Sequence, residues 1–145
     1  MIVREWRAED LPAIAKLEEI CFSDPWSEQS LTETFHSPAF RGFVAEKDGR
    51  VAGYSGALVC YDAEIALIAV SPEFRRKGIG RLLLSAAIDY ATSVGAENVF
   101  LEVRTGNIPA KTLYESCGFI PVTVRKKYYD DGEDALVMVK PKKIV

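Results

Sequence analysis

A basic segment with two glycines, in the middle of the chain, has the residues of an anion site. Residues 68–81 read Ile-Ala-Val-Ser-Pro-Glu-Phe-Arg-Arg-Lys-Gly-Ile-Gly-Arg, and we expect a strand before the glycines and a helix after them. Gly78 and Gly80 let the backbone approach a ligand, and N–H groups at a helix start point outward without partners. Positive charge adds attraction from Arg75, Arg76, Lys77 and Arg81. The segment predicts a pyrophosphate site.

Known phosphate-binding patterns fit this segment unequally. A kinase-like P-loop needs Gly-Lys-Ser/Thr after its spacer, but Lys77 precedes the glycine, which excludes that pattern. A dinucleotide fingerprint starts directly after a strand, whereas seven residues separate Val70 from Gly78, and Leu83 stands at its third glycine position. Glu102 does imitate its ribose-binding acid, so this alternative stays open. A solvated basic turn that begins a helix is the remaining simple interpretation.

Two ionisable side chains beyond this segment are in positions from which they can face a ligand. In the predicted strand 98–103, alternation places Glu102 on the face opposite Leu101 and Val103, where it can line a cleft. Tyr114 follows Asn107 by seven residues, two turns along one helix face, so both can contact one ligand. The structural alternatives are an exposed strand-end carboxylate and a core tyrosine with a satisfied hydroxyl.

The cysteines and the histidine offer a rival, nucleophilic chemistry. His36 is the only histidine and lies far in sequence from Cys60 and Cys117, so a cysteine–histidine pair is a weak hypothesis. Cys21 makes the cysteine count odd, and no C-x-x-C pair is present. We therefore expect reduced, buried thiols, with no disulfide framework and no zinc site.

Acidic and aromatic residues near the C-terminus and after the first helix are candidates for acceptor binding. They could bind a cationic peptide end, or be a solvated turn and core residues. The residues concerned are Asp130, Asp131, Glu133 and Asp134, together with Tyr128, Tyr129, Phe22 and Trp26.

The elements that must position these residues follow from hydrophobic periodicity and turn chemistry. Their order is β-α-α-β-β-β-α-β-α-β-β, which predicts a mixed α/β fold with helices on the faces of a mixed sheet. An Asp-Gly turn at 48–49 predicts a hairpin. The predicted strands are 1–6, 43–45, 51–54, 64–70, 98–103, 119–124 and 134–139. The predicted helices are 11–21, 27–36, 80–94 and the segment from the cap Asn107 to Gly118.

Length and composition bound the class of protein. The 145 residues, 48% of them apolar, predict one domain over residues 1–145, with no linker or repeat. No stretch reaches the roughly 18 apolar residues of a membrane span, and the N-terminus lacks a secretory signal, so we expect a cytoplasmic protein without membrane contact. A net charge of −3 argues against direct nucleic-acid binding.

The pattern Arg75-Arg76-Lys77-Gly78-Ile79-Gly80 resembles the coenzyme A loop of the GNAT acetyltransferase superfamily. The resemblance extends over nearly the whole chain and is most specific for the RimI group, bacterial enzymes that acetylate the N-terminal alanine of a small-subunit ribosomal protein. The segments that carry it are Asp24-Pro25-Trp26-Ser27-Glu28, Leu101-Glu102-Val103-Arg104, Leu113-Tyr114-Glu115-Ser116, Arg125-Lys126-Lys127-Tyr128-Tyr129 and Glu133-Asp134-Ala135. One departure is Cys117, where an aliphatic residue is common.

The resemblance implies a fold, an activity and a set of site residues. The fold would be a central, twisted, mostly antiparallel mixed sheet flanked by about four helices. Glu102 would be the general base and Tyr114 the general acid for direct acetyl transfer from acetyl-coenzyme A. The implied cofactor contacts are Ile68, Ala69, Val70, Arg76, Lys77, Gly78, Ile79, Gly80 and Arg81, with help from Asn107, and we add Arg75 from the loop pattern.

The resemblance also implies a partner, while the acceptor stays open. A protein N-terminus, that of a basic ribosomal protein above all, would be the acceptor. Other amines, such as lysine side chains or polyamines, and a non-catalytic coenzyme A-binding module are the alternatives. The sequence leaves the oligomeric state open.

Overall fold

Seven strands and four α-helices make up residues 1–142, the part of the chain that the computed structural model describes. The strands are β1 (Ile2–Glu5), β2 (Phe40–Lys47), β3 (Arg50–Val59), β4 (Ala63–Val70), β5 (Asn98–Arg104), β6 (Ile120–Arg125) and β7 (Ala135–Pro141). The helices are α1 (Leu11–Cys21), α2 (Glu28–Phe35), α3 (Ile79–Ser93) and α4 (Ile108–Ser116). The predicted order is confirmed, although β2 and β3 are longer than expected and short 3₁₀ turns at Ala8–Asp10 and Pro72–Phe74 were not predicted.

Capping residues explain where two of the helices begin. The Ser27 hydroxyl accepts the N–H of Ser30 at 3.1 Å at the start of α2. The Asn107 side chain does the same at the start of α4, accepting the N–H of Ala110 at 3.2 Å. Both predicted caps are confirmed, because each side chain satisfies an N–H group that the first turn leaves without a partner.

The strands form one sheet in the order β1-β2-β3-β4-β5-β7-β6. Every neighbouring pair is antiparallel except β4 and β5, so the expected mixed, mostly antiparallel sheet is confirmed. The parallel pairing covers only two residue pairs, Ala63 with Val99 and Glu64 with Phe100. Beyond them β4 and β5 separate, and a gap opens in the sheet.

A β-bulge in β4 lies at the point where the gap opens. Ile65 pairs with Ala57 and Leu67 pairs with Gly56 on β3, so Ala66 is left over between them. The extra residue reverses the alternation of side chains along the strand. Ile65 therefore shares a core cluster with α3 and α4, whereas Leu67 packs in the cluster of α1 and α2.

Helices cover the two faces of the sheet unequally. On one face α3 and α4 pack over the sheet, with Leu84, Leu101, Tyr114 and Phe119 in the core. On the other face, the cluster of α1 and α2 involves strand residues of β2 to β4 only. The part of this second face formed by β5 is left open, and the side chain of Glu102 lies there. Within residues 1–142, no helix is both long and apolar enough to span a membrane.

A buried carboxyl joins α1 to β3 and to the segment that follows the helix. Glu18 is 2% exposed; it accepts a hydrogen bond from the Tyr54 hydroxyl and another from the N–H of Trp26 at 3.0 Å. Burial raises the pKa of Glu18, and the hydrogen bonds from Tyr54 and Trp26 oppose that rise. The pair therefore fixes the entry to the α1–α2 connection from inside the core.

Tyr54→Phe is expected to lower the free energy of unfolding by about 1–3 kcal/mol, because it leaves a buried carboxyl without one of its donors. Urea titration monitored by circular dichroism measures the change. Tyr61→Phe is the matched control, because Tyr61 is 74% exposed. Equal midpoints for the two variants would show that the Glu18 pair adds no stability.

Candidate active site

The gap between β4 and β5 exposes a strand edge that can bind an extended ligand. From Ile65 to Val70, β4 pairs with β3 on one side but, among residues 1–142, has no strand partner on the side of β5. Backbone N–H and C=O groups on that side have no strand to pair with, as on an edge strand, although the Val70 carbonyl accepts a hydrogen bond from Arg75. This is where the structure places the predicted contacts Ile68, Ala69 and Val70. The bulge at Ala66 redirects the backbone at the same point.

The glycine turn lies at the end of this gap and leads into α3. Arg76 and Gly78 have left-handed backbone conformations, with φ of 63° and 80°. An added Cβ at Gly78 would meet no atom within 4 Å, so the positive φ, rather than lack of space, favours glycine there. The first helical bond of α3 runs from the N–H of Leu82 to the carbonyl of Gly78. The N–H groups just before Leu82 therefore point out of the helix end, as the sequence predicted.

Gly80 is under less constraint than Gly78. A Cβ at this position would lie 3.4 Å from Leu113 of α4 and 3.8 Å from Val70 of β4, which are ordinary van der Waals distances. The neighbouring Ile79 is 2% exposed and anchors the turn in the core.

The four basic residues of the turn divide into two groups. Arg75 donates from Nε to the carbonyl of Val70 at 3.0 Å, and Arg81 donates to the Ser116 hydroxyl at 2.8 Å, so both tie the turn to neighbouring elements. Arg76 and Lys77 are exposed. The geometry thus gives Arg75 and Arg81 a role in shaping the turn, and leaves Arg76 and Lys77 to meet a negative charge.

An open groove lies on the second face of the sheet, beside the gap. It encloses a cavity of about 500 Å³ whose lining includes Leu58, Cys60, Glu64, Phe100, Glu102 and Arg125. Glu64 pairs across the strands with Phe100, and Glu102 follows two residues later on the same face. The groove therefore has an apolar floor and two carboxylates along one line.

Glu102 lies at the end of the groove and is only partly open to water. Its side chain is 20% exposed, and Nε of Arg125 is 3.7 Å from its Oε1. Tyr128 also lies beside Glu102. The interaction of its phenol with the Glu102 carboxyl raises the pKa of Tyr128, and burial adds to the rise. A carboxylate in this position can accept a proton from a group that enters the groove.

Glu64 is a groove residue that the sequence analysis missed. Its pKa is raised, first because its carboxyl loses water and then because Glu102 is a neighbouring negative charge, while Arg125 opposes the rise. The signal in the sequence was a charged residue at the start of an apolar strand run, Glu64-Ile65-Ala66-Leu67-Ile68-Ala69-Val70.

Tyr114 combines a buried ring with a hydroxyl that keeps some contact with solvent. The residue is 7% exposed, its ring packs edge-on against Phe119 at 6.0 Å, and its burial raises its pKa. The hydroxyl has no hydrogen-bond partner in residues 1–142. If it were fully buried it would be an unsatisfied polar atom, but the only such side-chain atom among these residues is Arg4 Nε. The Tyr114 hydroxyl is therefore in contact with solvent. It remains protonated at neutral pH and can donate a hydrogen bond to a ligand.

Asn107 and the acidic C-terminal turn are placed by local hydrogen bonds. The carbonyl of the Asn107 side chain caps α4, which leaves its amide group to contact a ligand. Asp131 and Glu133 form ion pairs with Arg104 instead of standing free. Asp134 accepts the N–H of Lys127 at 2.9 Å. Three of the four acids are thus bonded to protein groups, an arrangement that neither the peptide-binding nor the solvated-turn interpretation predicted.

The remaining reactive side chains do not assemble a nucleophilic site. His36 is exposed, with Nδ1 2.8 Å from the carbonyl of Thr32 on its own helix. The three thiols are free, but the expectation that they are buried is wrong, because Cys60 is exposed and Cys21 and Cys117 are half-buried. The described contacts of His36 include none with a cysteine, in keeping with the weakness of that hypothesis.

Comparison with known proteins gives the same picture as the geometry. Residues 11–119 match the acetyltransferase (GNAT) family. The chain is 37% identical over 136 residues to the ribosomal protein bS18-alanine N-acetyltransferase of Escherichia coli (strain K12), a match that covers 91% of each protein. It is 40% identical over 139 residues to a Bacillus subtilis (strain 168) protein named as a candidate enzyme of the same kind, covering 94% of this chain and 92% of that protein.

Solved structures extend the match to the whole fold. The crystal structure of the ribosomal-protein-S18-alanine N-acetyltransferase from Escherichia coli superposes with a TM-score of 0.90 at 34% identity, covering 99% of this chain and 95% of that one. Chaetomium thermophilum Naa20, crystallised with a bisubstrate analogue, superposes with a TM-score of 0.85 at 31% identity, covering 97% and 86%. The chain therefore belongs to the GNAT family of acetyltransferases.

Proposed function

We propose that this enzyme transfers the acetyl group of acetyl-coenzyme A to the N-terminal α-amine of a protein, and that its acceptor is the N-terminal alanine of ribosomal protein bS18. The observation that carries the proposal is the position of Glu102, at the end of an open groove and beside the gap in the sheet. A donor in the gap and an acceptor in the groove would meet there. The relatives named for bS18 acetylation support this choice of acceptor.

The residues of the gap and the turn fit acetyl-coenzyme A. Its extended arm suits the free edge of β4 over Ile68, Ala69 and Val70, and its pyrophosphate suits the N–H groups at the start of α3. Arg76 and Lys77 supply positive charge, while Arg75 and Arg81 hold the turn in shape. When bound, acetyl-coenzyme A supplies an acetyl group activated as a thioester.

The proton needs of this reaction are modest, which suits a carboxylate. An α-amine with a pKa of about 7.7–8.0 is neutral in roughly a tenth of molecules near pH 7, whereas a lysine amine at about 10.4 is neutral in only a few per ten thousand. As the amine nitrogen bonds to the acetyl carbon, Glu102 accepts the proton that the nitrogen loses, directly or through water. Such a base favours α-amines over lysine side chains.

The departing sulfur needs a donor, and we assign that role to Tyr114. Its hydroxyl lies in contact with solvent, and burial raises its pKa, so it stays protonated and donates a hydrogen bond to the sulfur as the carbon–sulfur bond breaks. A phenol is a weaker acid than a thiol, so a complete proton transfer would run uphill. A hydrogen bond therefore suffices, and the thiolate takes its proton from water.

The charge of the groove suits a basic acceptor. Glu64 and Glu102 line it together, and the chain carries a net charge of −3. A ribosomal protein with a positive N-terminal segment would be attracted to such a surface. We further propose that residues 1–145 act as one domain and that the reaction takes place in the cytoplasm, where such an acceptor is made.

Incubation with acetyl-coenzyme A and a peptide that begins Ala-Arg and contains one internal lysine tests the proposal. The expected product carries one acetyl group, on the alanine nitrogen, because the α-amine is the better nucleophile at neutral pH. Tandem mass spectrometry locates the group. A matched peptide with a blocked N-terminus is the control and should remain unmodified.

Other products would assign a different function. Acetylation of the lysine, or of spermidine offered in parallel, would contradict N-terminal specificity. A rise in melting temperature with coenzyme A but no product from any amine would indicate a binding module instead of an enzyme.

A further inference from the structure

One guanidinium at the end of β5 contacts two connections that are far apart in the sequence. Arg104 donates from Nη1 to Asp131 at 2.8 and 3.0 Å, and to Glu133 at 3.1 Å. From Nη2 it donates to Asp24 at 3.2 Å and to Ser23 at 3.3 Å. Its hydrogen bonds thus reach the α1–α2 connection (residues 22–27) and the β6–β7 connection (residues 126–134) at once.

The environment of Arg104 favours a single fixed arrangement. Its side chain is 20% exposed, and three carboxylates share its charge. On its flat face, the guanidinium carbon lies 4.1 Å from the centre of the Tyr129 ring. Charge-assisted bonds to a planar fork, together with stacking, are more directional than an exposed ion pair. The cluster therefore holds the two connections in a defined position.

The position of the cluster along β5 relates it to the reaction. Arg104 follows Glu102 by two residues, so both side chains lie on the same face of the strand. The groove passes Phe100 and Glu102, and the Arg104 cluster lies directly beyond. The same connection that Asp131 and Glu133 attach to Arg104 also brings Tyr128 beside Glu102. Arg104 thereby lies just beyond the residues that line the groove, next along β5 to the proposed base.

We propose that Arg104 is a positioning residue for the acceptor: it joins the α1–α2 and β6–β7 connections into one wall, and this wall sets where the incoming amine stops relative to Glu102. This rests on the proposed function, because it assumes that the acceptor enters the groove. Arg104 takes no part in proton transfer, since its guanidinium is occupied by the protein. Its effect is on the acceptor, and the turn that suits acetyl-coenzyme A lies outside the cluster.

Arg104→Lys keeps the charge but cannot bond both connections through one planar fork. A shift of the wall of about 1 Å should lower kcat/KM for the Ala-Arg peptide by about 10- to 100-fold. We expect most of the loss in KM for the peptide, with KM for acetyl-coenzyme A unchanged. Hydrogen exchange followed by mass spectrometry should become faster in residues 22–27 and 126–134 together.

A second variant and a control make the test independent of folding. Asp131→Asn leaves Arg104 bonded to Glu133 and Asp24, and should show a smaller loss of the same kind. A double-mutant cycle should then give less than the sum of the two losses, because both changes act on one cluster. Arg41→Lys, which alters an exposed pair with Glu5 at the far side of the sheet, should leave all constants unchanged.

The outcomes separate this proposal from the function on which it rests. Wild-type enzyme that acetylates no peptide would overturn the proposed function, and the acceptor role of Arg104 with it. Active wild-type enzyme with unchanged peptide constants in Arg104→Lys would overturn the role of Arg104 alone, even with faster exchange in the two connections. If Arg104→Lys fails to fold, unchanged peptide constants in Asp131→Asn would overturn it in the same way.

Discussion

Glu102→Gln should lower kcat for the Ala-Arg peptide by about 10²–10⁴-fold, the usual contribution of a positioned general base. Glutamine has almost the same shape, so the groove and its contact with Arg125 remain, while the ability to accept a proton is lost. The deficit should shrink at pH 9, where most of the α-amine is already neutral. Steady-state release of the free thiol, measured from pH 6.5 to 9, gives both numbers.

Two glutamate controls make the effect of Glu102→Gln specific. Glu97→Gln changes an exposed residue just before the same strand, where Glu97 pairs with Lys142, and should be silent. Glu64→Gln removes a second groove carboxylate, and should alter KM for the peptide more than kcat. Affinity for acetyl-coenzyme A, measured by calorimetry, should be equal in all three variants. A full rate in Glu102→Gln, or a collapse of kcat in Glu64→Gln, would move the base to another residue.

Tyr114→Phe should reduce kcat by about 10²-fold, because one preorganised donor to the leaving group is lost. The hydroxyl has no hydrogen-bond partner in residues 1–142, so its removal should leave the packing against Phe119 intact. We therefore expect a melting temperature within a degree or two of the wild type, roughly the noise of a silent substitution. Kinetics and thermal melts on the same preparation measure the two effects together.

The nature of the substitution allows a sharp control for Tyr114. Tyr90→Phe removes the hydroxyl of a tyrosine on α3 whose ring packs against Arg41, away from the groove. Both rates and melting temperature should stay at wild-type values in this variant. Wild-type turnover in Tyr114→Phe would assign that tyrosine to the core and leave the sulfur to water.

The positions of the helices and of the glycine turn could be predicted because their causes are local. Ser27 and Asn107 cap helices through residues only three positions away, and Gly78 adopts its positive φ within one turn. Alternation along β5 correctly placed Glu102 opposite the core residues Leu101 and Val103. Each of these features is determined by residues only a few positions apart, so it can be predicted from one sequence.

The gap in the sheet could not be predicted, because it depends on how strands pair. An apolar run such as 64–70 indicates a central strand, but nothing in its pattern says that pairing with β5 ends after two residues. The bulge at Ala66 is equally hidden, since it appears only when β4 is matched against β3. The contacts of Ile68, Ala69 and Val70 stay a prediction from the resemblance, and the free edge of β4 is the physical feature that supports it.

The contacts of Arg104 show the same limit on a larger scale. Its partners Asp24 and Asp131 lie 80 and 27 residues away along the chain. From the sequence, the acids of the C-terminal turn could bind a cationic peptide. The structure shows that Arg104 already forms ion pairs with two of them. A run of charged residues therefore predicts which ligands a surface could attract, but the fold determines which of those charges are already paired within the protein.

The two-residue pairing of β4 and β5 divides the sheet into a group of four strands and a group of three. Because this pairing is short, the packing of α3 and α4 against strands of both groups helps to hold the two groups in place. We expect acetyl-coenzyme A, bound along the free edge of β4, to form hydrogen bonds with backbone groups that a strand would otherwise take. In that arrangement the reagent would complete the sheet, and each turnover would open the gap again.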